Sequence, residues 1–118
     1  MNLYQDEILD HYKNPHNKKR LESPSKSCEL SNPLCGDRLG LEVVIRDGVI
    51  VEVGYWGDGC AISQASMSML TQELVGLKIN ESQKIDEKYI LELIGVPISA
   101  SRQKCALLSL SIFKKLIN

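Results

Sequence analysis

No sign of charge dominates this sequence: 14 Lys and Arg stand against 15 Asp and Glu, for a net charge of −1. A global field for nucleic acid or an anionic membrane surface is therefore excluded, although Lys13, Lys18, Lys19 and Arg20 form a local basic cluster that reads as a solvated face or a docking patch. No stretch approaches the ~20 apolar residues of a membrane helix. The opening Met1-Asn2-Leu3-Tyr4-Gln5-Asp6-Glu7 lacks the basic and then apolar regions of a secretory leader, so a cytoplasmic location is expected. Histidine is scarce, with only His11 and His16. Neither lies near a cysteine in sequence, which argues against a thiol hydrolase, and both read as surface or packing residues. No Cys-x-x-Cys pair supplies zinc-finger spacing. Internal repeats, low-complexity tracts and linkers are also missing, and 118 residues fit a single domain over 1–118.

What is present is an ordinary globular composition, 43% hydrophobic and 25% charged. Residues 2–13 place Leu3, Tyr4, Ile8, Leu9 and Tyr12 at helical spacing, and Asn14-Pro15 ends that helix. Residues 14–34 carry three prolines and read as an extended connector, with a short edge strand around Cys28–Leu30. Leu39, Leu41, Val43 and Ile45 then alternate with Gly40, Glu42, Val44 and Arg46. Asp47-Gly48 supplies a turn, and Val49, Val51, Val53 and Tyr55 resume the alternation. That pattern predicts an antiparallel hairpin with one face on a core. Helices are predicted over 61–75, over 86–94 with a stop at Gly95-Val96-Pro97, and from Ser101 onward with Cys105, Leu108, Ile112 and Leu116 in one stripe. The fold class is α+β: a small three-stranded antiparallel sheet packed against several helices. Trp56 reads as a core or interface anchor, and Met67 and Met69 as helix packing.

Four cysteines in a reducing compartment are ligands or nucleophiles more often than disulfide partners. Cys35 lies in the turn Pro33-Leu34-Cys35-Gly36-Asp37 before the hairpin, and Cys60 follows Gly57-Asp58-Gly59 at the mouth of a helix. Cys105 falls in the first turn or so of the last helix. Helix N-termini favour thiolate, the form that binds metals and attacks persulfides. Asp37 points to the same side as Cys35 if the segment is extended. Three thiolates and a carboxylate would close a tetrahedral zinc site. On spacing alone, buried cysteines acting as small hydrophobes are the better-fitting reading, and Cys28 reads as one of these.

The run Asn32-Pro33-Leu34-Cys35-Gly36-Asp37 resembles the CGD signature of the iron–sulfur cluster scaffold family of IscU, SufU and the NifU N-terminal domain. So do Gly57-Asp58-Gly59-Cys60-Ala61-Ile62-Ser63, Lys104-Cys105-Ala106-Leu107 and the opening Ile8-Leu9-Asp10-His11-Tyr12-Lys13-Asn14-Pro15. The resemblance covers nearly the whole chain. It implies a SufE/NifU-like α+β fold and a metal site formed by Cys35, Asp37, Cys60 and Cys105, with the three cysteines as cofactor ligands. The IscU branch has a histidine before the third cysteine, where this chain has Lys104, and a protonated lysine is no ligand. The Gly59-Cys60-Ala61-Ile62-Ser63 and Arg102-x-Lys104-Cys105 motifs resemble the SufU branch, which holds zinc. That branch usually carries an insertion between its second and third cysteines, whereas only 44 residues separate Cys60 from Cys105 here.

The resemblance therefore implies a zinc-binding protein that accepts persulfide sulfur from a cysteine desulfurase of the SufS, IscS or NifS type. Cys35 is the expected acceptor, and Arg102 and Lys104 are candidate residues for holding negative charge or guiding the desulfurase loop. One alternative is a scaffold on which a [2Fe–2S] cluster, or iron, is held transiently and passed to apo iron–sulfur proteins. Another, from a different class, is a structural zinc module whose partner surface carries the function. Whether the chain is an enzyme, a zinc-dependent sulfurtransferase acting with its desulfurase, is left open. Neither nucleic acid nor membrane is an expected partner.

Overall fold

A computed structural model describes residues 3–32 and 36–118, with Leu3–Gln5 described by backbone alone. Helix α1 (Leu3–Lys13) ends as expected at Asn14-Pro15, where the Asn14 N–H still reaches the Asp10 carbonyl at 2.7 Å. Three strands follow: β1 (Lys26–Asn32), β2 (Asp37–Arg46) and β3 (Val49–Asp58). They form one antiparallel sheet in the order β1-β2-β3, with Cys28, Leu41 and Tyr55 in one row across it. The turn dipeptide performs as its residue types predict, since Asp47 and Gly48 both take positive φ, 52° and 76°. Strand β1 is longer than the edge strand expected around Cys28–Leu30.

The helices α2 (Ala61–Leu74), α3 (Ile79–Ser82), α4 (Glu87–Ile94) and α5 (Ala100–Ile117) complete the chain. Four-residue α3 has too short a pattern to be read from sequence. Asp86 caps α4 by accepting the Tyr89 N–H, and Gly95 closes it in the left-handed conformation. Helices α2 and α5 lie on one face of the sheet. There Leu39, Leu41, Val43, Ile50, Val53 and Tyr55 meet Met67, Leu70, Leu74, Ile112 and Phe113, all at most 1% exposed. Each such side chain contributes about 1.5–3 kcal/mol of burial free energy. The small flank of α2 lets neighbours approach closely: Ser66 Oγ bonds the Ala106 carbonyl of α5 at 2.6 Å, and Ser68 Oγ accepts the His16 N–H at 2.8 Å. No described helix is long and apolar enough to cross a membrane.

The alternation within β2 misleads on one point. Glu42, on the face expected to meet water, is 1% exposed. The 14–25 connector folds across that face, and Glu42 accepts the Leu21 N–H and pairs with Arg20 at 3.3 Å. Arg20 stacks 3.8 Å over the Trp56 ring, whose Nε1–H donates to Glu29. The Trp56 ring lies flat on Gly40, where a Cβ would come within 2.1 Å of it. A buried carboxylate is tolerated because its oxygen is hydrogen-bonded and ion-paired.

Candidate metal centre

Antiparallel pairing brings the start of β2 beside the end of β3, with Arg38 opposite Asp58. Asp37 thereby meets the Gly59-Cys60 turn that leads into α2. Cys60 is the N-cap of α2 with extended backbone, and its Sγ accepts the Ser63 N–H at 3.5 Å. Its own N–H donates to Asp37 Oδ1 at 2.9 Å. The other carboxylate oxygen, Oδ2, lies 3.6 Å from Cys60 Sγ. From the far side α5 presents Cys105, which is 5% exposed. One ligand atom from each of Asp37, Cys60 and Cys105 lies within 4.8 Å of the other two, the one such cluster of three among the described residues.

That donor set fits a tetrahedral thiophilic cation. For Zn–S and Zn–O bonds of about 2.3 and 2.0 Å, neighbouring sulfur and oxygen ligands sit about 3.5 Å apart. The Asp37 Oδ2 to Cys60 Sγ separation of 3.6 Å matches such an edge. Two thiols and a carboxyl gathered where Asp37 is 2% exposed would also carry strong mutual repulsion when ionised, which a cation relieves.

Of the four expected ligands, Cys35 lies outside the described residues. The flanking Gly36 N–H bonds the Asn32 carbonyl at 2.9 Å, and Gly36 leads directly into Asp37. Cys105 departs from expectation: α5 begins at Ala100, so Cys105 is its sixth residue and lies in the second turn. It therefore sits beyond the first four residues of α5, whose N–H groups have no partner within the helix. Arg102 and Lys104 are both exposed and border different depressions. Arg102 borders a largely apolar groove of about 340 Å³ with Ile8, Leu9, Ile62 and Val96, and Lys104 borders another beside Leu30, Ser31 and Asn32.

The other cysteine and the histidines stay away from the centre. Cys28 is half-buried against the core. His11 Nδ1 is 2.8 Å from Ser68 Oγ, and its ring lies 5.1 Å from that of His16, on the seam between α1 and α2. Burial, and then the neighbouring His16, hold the His11 pKa below its ordinary value. The basic cluster disperses: Lys18 donates to Gln64 at 2.8 Å, Lys19 pairs with Glu52 at 3.8 Å, and Arg20 serves Glu42 and Trp56. Sequence reading passed over Ser63 and Gln64, which ring the Cys60 turn. A signal for Ser63 was available, because a polar side chain at the mouth of a helix meets the backbone N–H two or three positions on.

The model of the NifU-like N-terminal domain matches residues 3–118. The chain belongs to the NifU-like N-terminal domain family. Among its relatives, the zinc-dependent sulfurtransferase SufU of Bacillus subtilis is 35% identical over 130 aligned positions, covering 96% of this chain and 88% of that protein. The alignment is longer than the chain itself, so the Bacillus protein has residues that this family member lacks. The iron–sulfur cluster assembly scaffold protein IscU 1 of Archaeoglobus fulgidus is 31% identical over 79% of this chain, which spans 61% of that relative's length. A crystal structure from Fervidobacterium islandicum, described as a cluster assembly scaffold protein for the SUF system, superposes with a TM-score of 0.84. It is 26% identical, with 96% of this chain and 95% of the other covered. The α+β architecture of a three-stranded antiparallel sheet with helices is thus the NifU-like fold.

Proposed function

We propose that this NifU-like chain acts in iron–sulfur cluster assembly by binding zinc through Cys35, Asp37, Cys60 and Cys105 and accepting persulfide sulfur on Cys35 from a cysteine desulfurase. The observation that carries the reading is the convergence of Asp37, Cys60 and Cys105 within 4.8 Å in a chain 35% identical to a zinc-dependent sulfurtransferase. A bound zinc ion would keep the thiols deprotonated and gathered without redox chemistry of its own.

Transfer is a thiolate–persulfide exchange. The Cys35 thiolate attacks the outer sulfur of the desulfurase persulfide and forms a new S–S bond. The old S–S bond breaks, and its electron pair leaves on the desulfurase cysteine as thiolate, so oxidation levels balance. Cys105 is buried and Cys60 is held by Asp37 and Ser63, which supports Cys35 as the acceptor. Arg102 and Lys104, exposed to either side of α5, are suited to meeting an incoming anionic loop. The similarity to IscU-type scaffold proteins favours a second reading, in which the same three thiolates hold a [2Fe–2S] cluster for delivery to apo proteins.

The test mixes the purified protein with a cysteine desulfurase and cysteine. The expected results are about one zinc per chain, faster alanine release and one added sulfur on Cys35 by mass spectrometry. Cys35→Ser abolishes the stimulation, while Cys28→Ser and Lys104→Ala keep full zinc content. Stimulation by Cys35→Ser equal to that of the unmodified protein would remove Cys35 as acceptor. A protein that stimulates no desulfurase but assembles a cluster from iron and sulfide would establish the scaffold reading instead.

A further inference from the structure

Cys60 Sγ receives its polar contacts on the α2 side from a single residue. The Ser63 backbone N–H reaches it at 3.5 Å, and the Ser63 hydroxyl lies 3.6 Å away. That hydroxyl donates to the Cys60 carbonyl at 3.0 Å while its oxygen accepts from the Cys60 thiol; once the sulfur is a thiolate, carbonyl and sulfur compete for the one hydroxyl proton. Ser63 is fully buried, and water does not compete for it.

Its placement is enforced from outside. Gly59 lies so close that an added Cβ would come within 2.5 Å of Ser63 Oγ and 3.1 Å of Asp37 Oδ1. Only a residue without a side chain lets Ser63 and Asp37 close on Cys60 together. Gln64, 7% exposed, clamps the same turn: its Nε2 donates to the Gly59 carbonyl at 3.0 Å, and its Oε1 accepts from Lys18 at 2.8 Å.

We infer that Ser63 is a positioning residue of the metal centre. Its hydroxyl and N–H orient the Cys60 thiolate toward the ion, so that Cys60 is the ligand retained while sulfur is exchanged elsewhere at the site. This rests on the metal-binding reading proposed above. Groups that hydrogen-bond a ligand atom typically change metal affinity 10–100-fold, and a sulfur acceptor with shared donors belongs at the lower end, about tenfold.

Ser63→Ala deletes the hydroxyl and keeps the N–H. Zinc affinity, measured by competition with a chromophoric chelator, should fall about tenfold, and the sulfur-to-cobalt charge-transfer band of the Co²⁺-loaded protein should shift. At saturating zinc, iodoacetamide labelling of Cys60, read by peptide mass spectrometry, should rise several-fold while Cys105 labelling does not. Ser66→Ala removes an equally buried hydroxyl from the same helix, one that bonds Ala106 instead, and should move none of these readouts. Gly59→Ala pushes the Ser63 hydroxyl aside from outside and should reproduce the Cys60-selective labelling, which covers the case of Ser63→Ala failing to fold. Unchanged Cys60 labelling in both variants, or the same rise with Ser66→Ala, would overturn the inference. An unmodified protein that binds neither Zn²⁺ nor Co²⁺ would instead overturn the metal-site reading, and this inference with it.

Discussion

Asp37 has two separable duties, and two substitutions divide them. Its Oδ1 accepts the Cys60 N–H at 2.9 Å and its Oδ2 faces Cys60 Sγ at 3.6 Å, in a spot only 2% exposed. In the metal-free protein, Asp37→Ala leaves the partly buried Cys60 N–H without this acceptor, at a cost of about 1–3 kcal/mol. Asp37→Asn keeps a carbonyl oxygen in the Oδ1 position and removes a buried negative charge beside a thiol. Its metal-free stability should therefore lie within about 1 kcal/mol of the unmodified protein. With a urea m-value of about 2 kcal/mol/M, the Ala variant's unfolding midpoint should fall by about 0.5–1.5 M, and the Asn variant's by less than about 0.5 M. Zinc affinity should drop about tenfold or more in both, because each loses the anionic oxygen ligand. The assay is urea unfolding in chelator followed by zinc titration of the same samples. Equal destabilisation of the two metal-free variants would refute the assignment of Oδ1 to the Cys60 N–H. Unimpaired zinc binding by Asp37→Asn would refute Oδ2 as a ligand.

Removal of metal by chelator should leave far-ultraviolet circular dichroism unchanged, since the core on α2, α5 and the inner sheet face is complete without the site; loss of the helical signal would favour a structural zinc module. Gly40→Ala should destabilise the fold by about 1–3 kcal/mol and shift Trp56 fluorescence to the red, because the new methyl meets the ring at 2.1 Å; an unshifted spectrum would show that the ring does not rest on Gly40. Ser68 Oγ accepts the His16 N–H, so its own proton is free for His11 Nδ1, which favours neutral His11. With its folded pKa lowered, His11 binds fewer protons folded than unfolded. Stability is then full above the ordinary value near 6.5 and declines as pH falls through and below it. His11→Gln should flatten that decline in urea midpoints taken between about pH 7.5 and 5, and an unchanged slope would assign it to other groups.

Much of this molecule was legible in one dimension because its signals are local. Asp47-Gly48 dictates the hairpin, Asn14-Pro15 and Gly95 end helices, and the stripe from Cys105 to Leu116 marks the buried side of α5. Asp37, Cys60 and Cys105 stood out as candidate ligands through the motifs they share with the scaffold family, not through their spacing. Their meeting within 4.8 Å could not be deduced, since it depends on β2 pairing with β3 and on α5 crossing behind them. Tertiary structure alone placed Cys105 in a buried second turn of α5. It alone also buried Glu42, because the alternation that marks a solvent face says nothing of a connector twenty residues upstream returning to cover it. Periodicity records what neighbours in sequence do for one another. Which polar group ends beside a thiol, as Ser63 and Gln64 do around Cys60, is settled by how closely separate elements can approach.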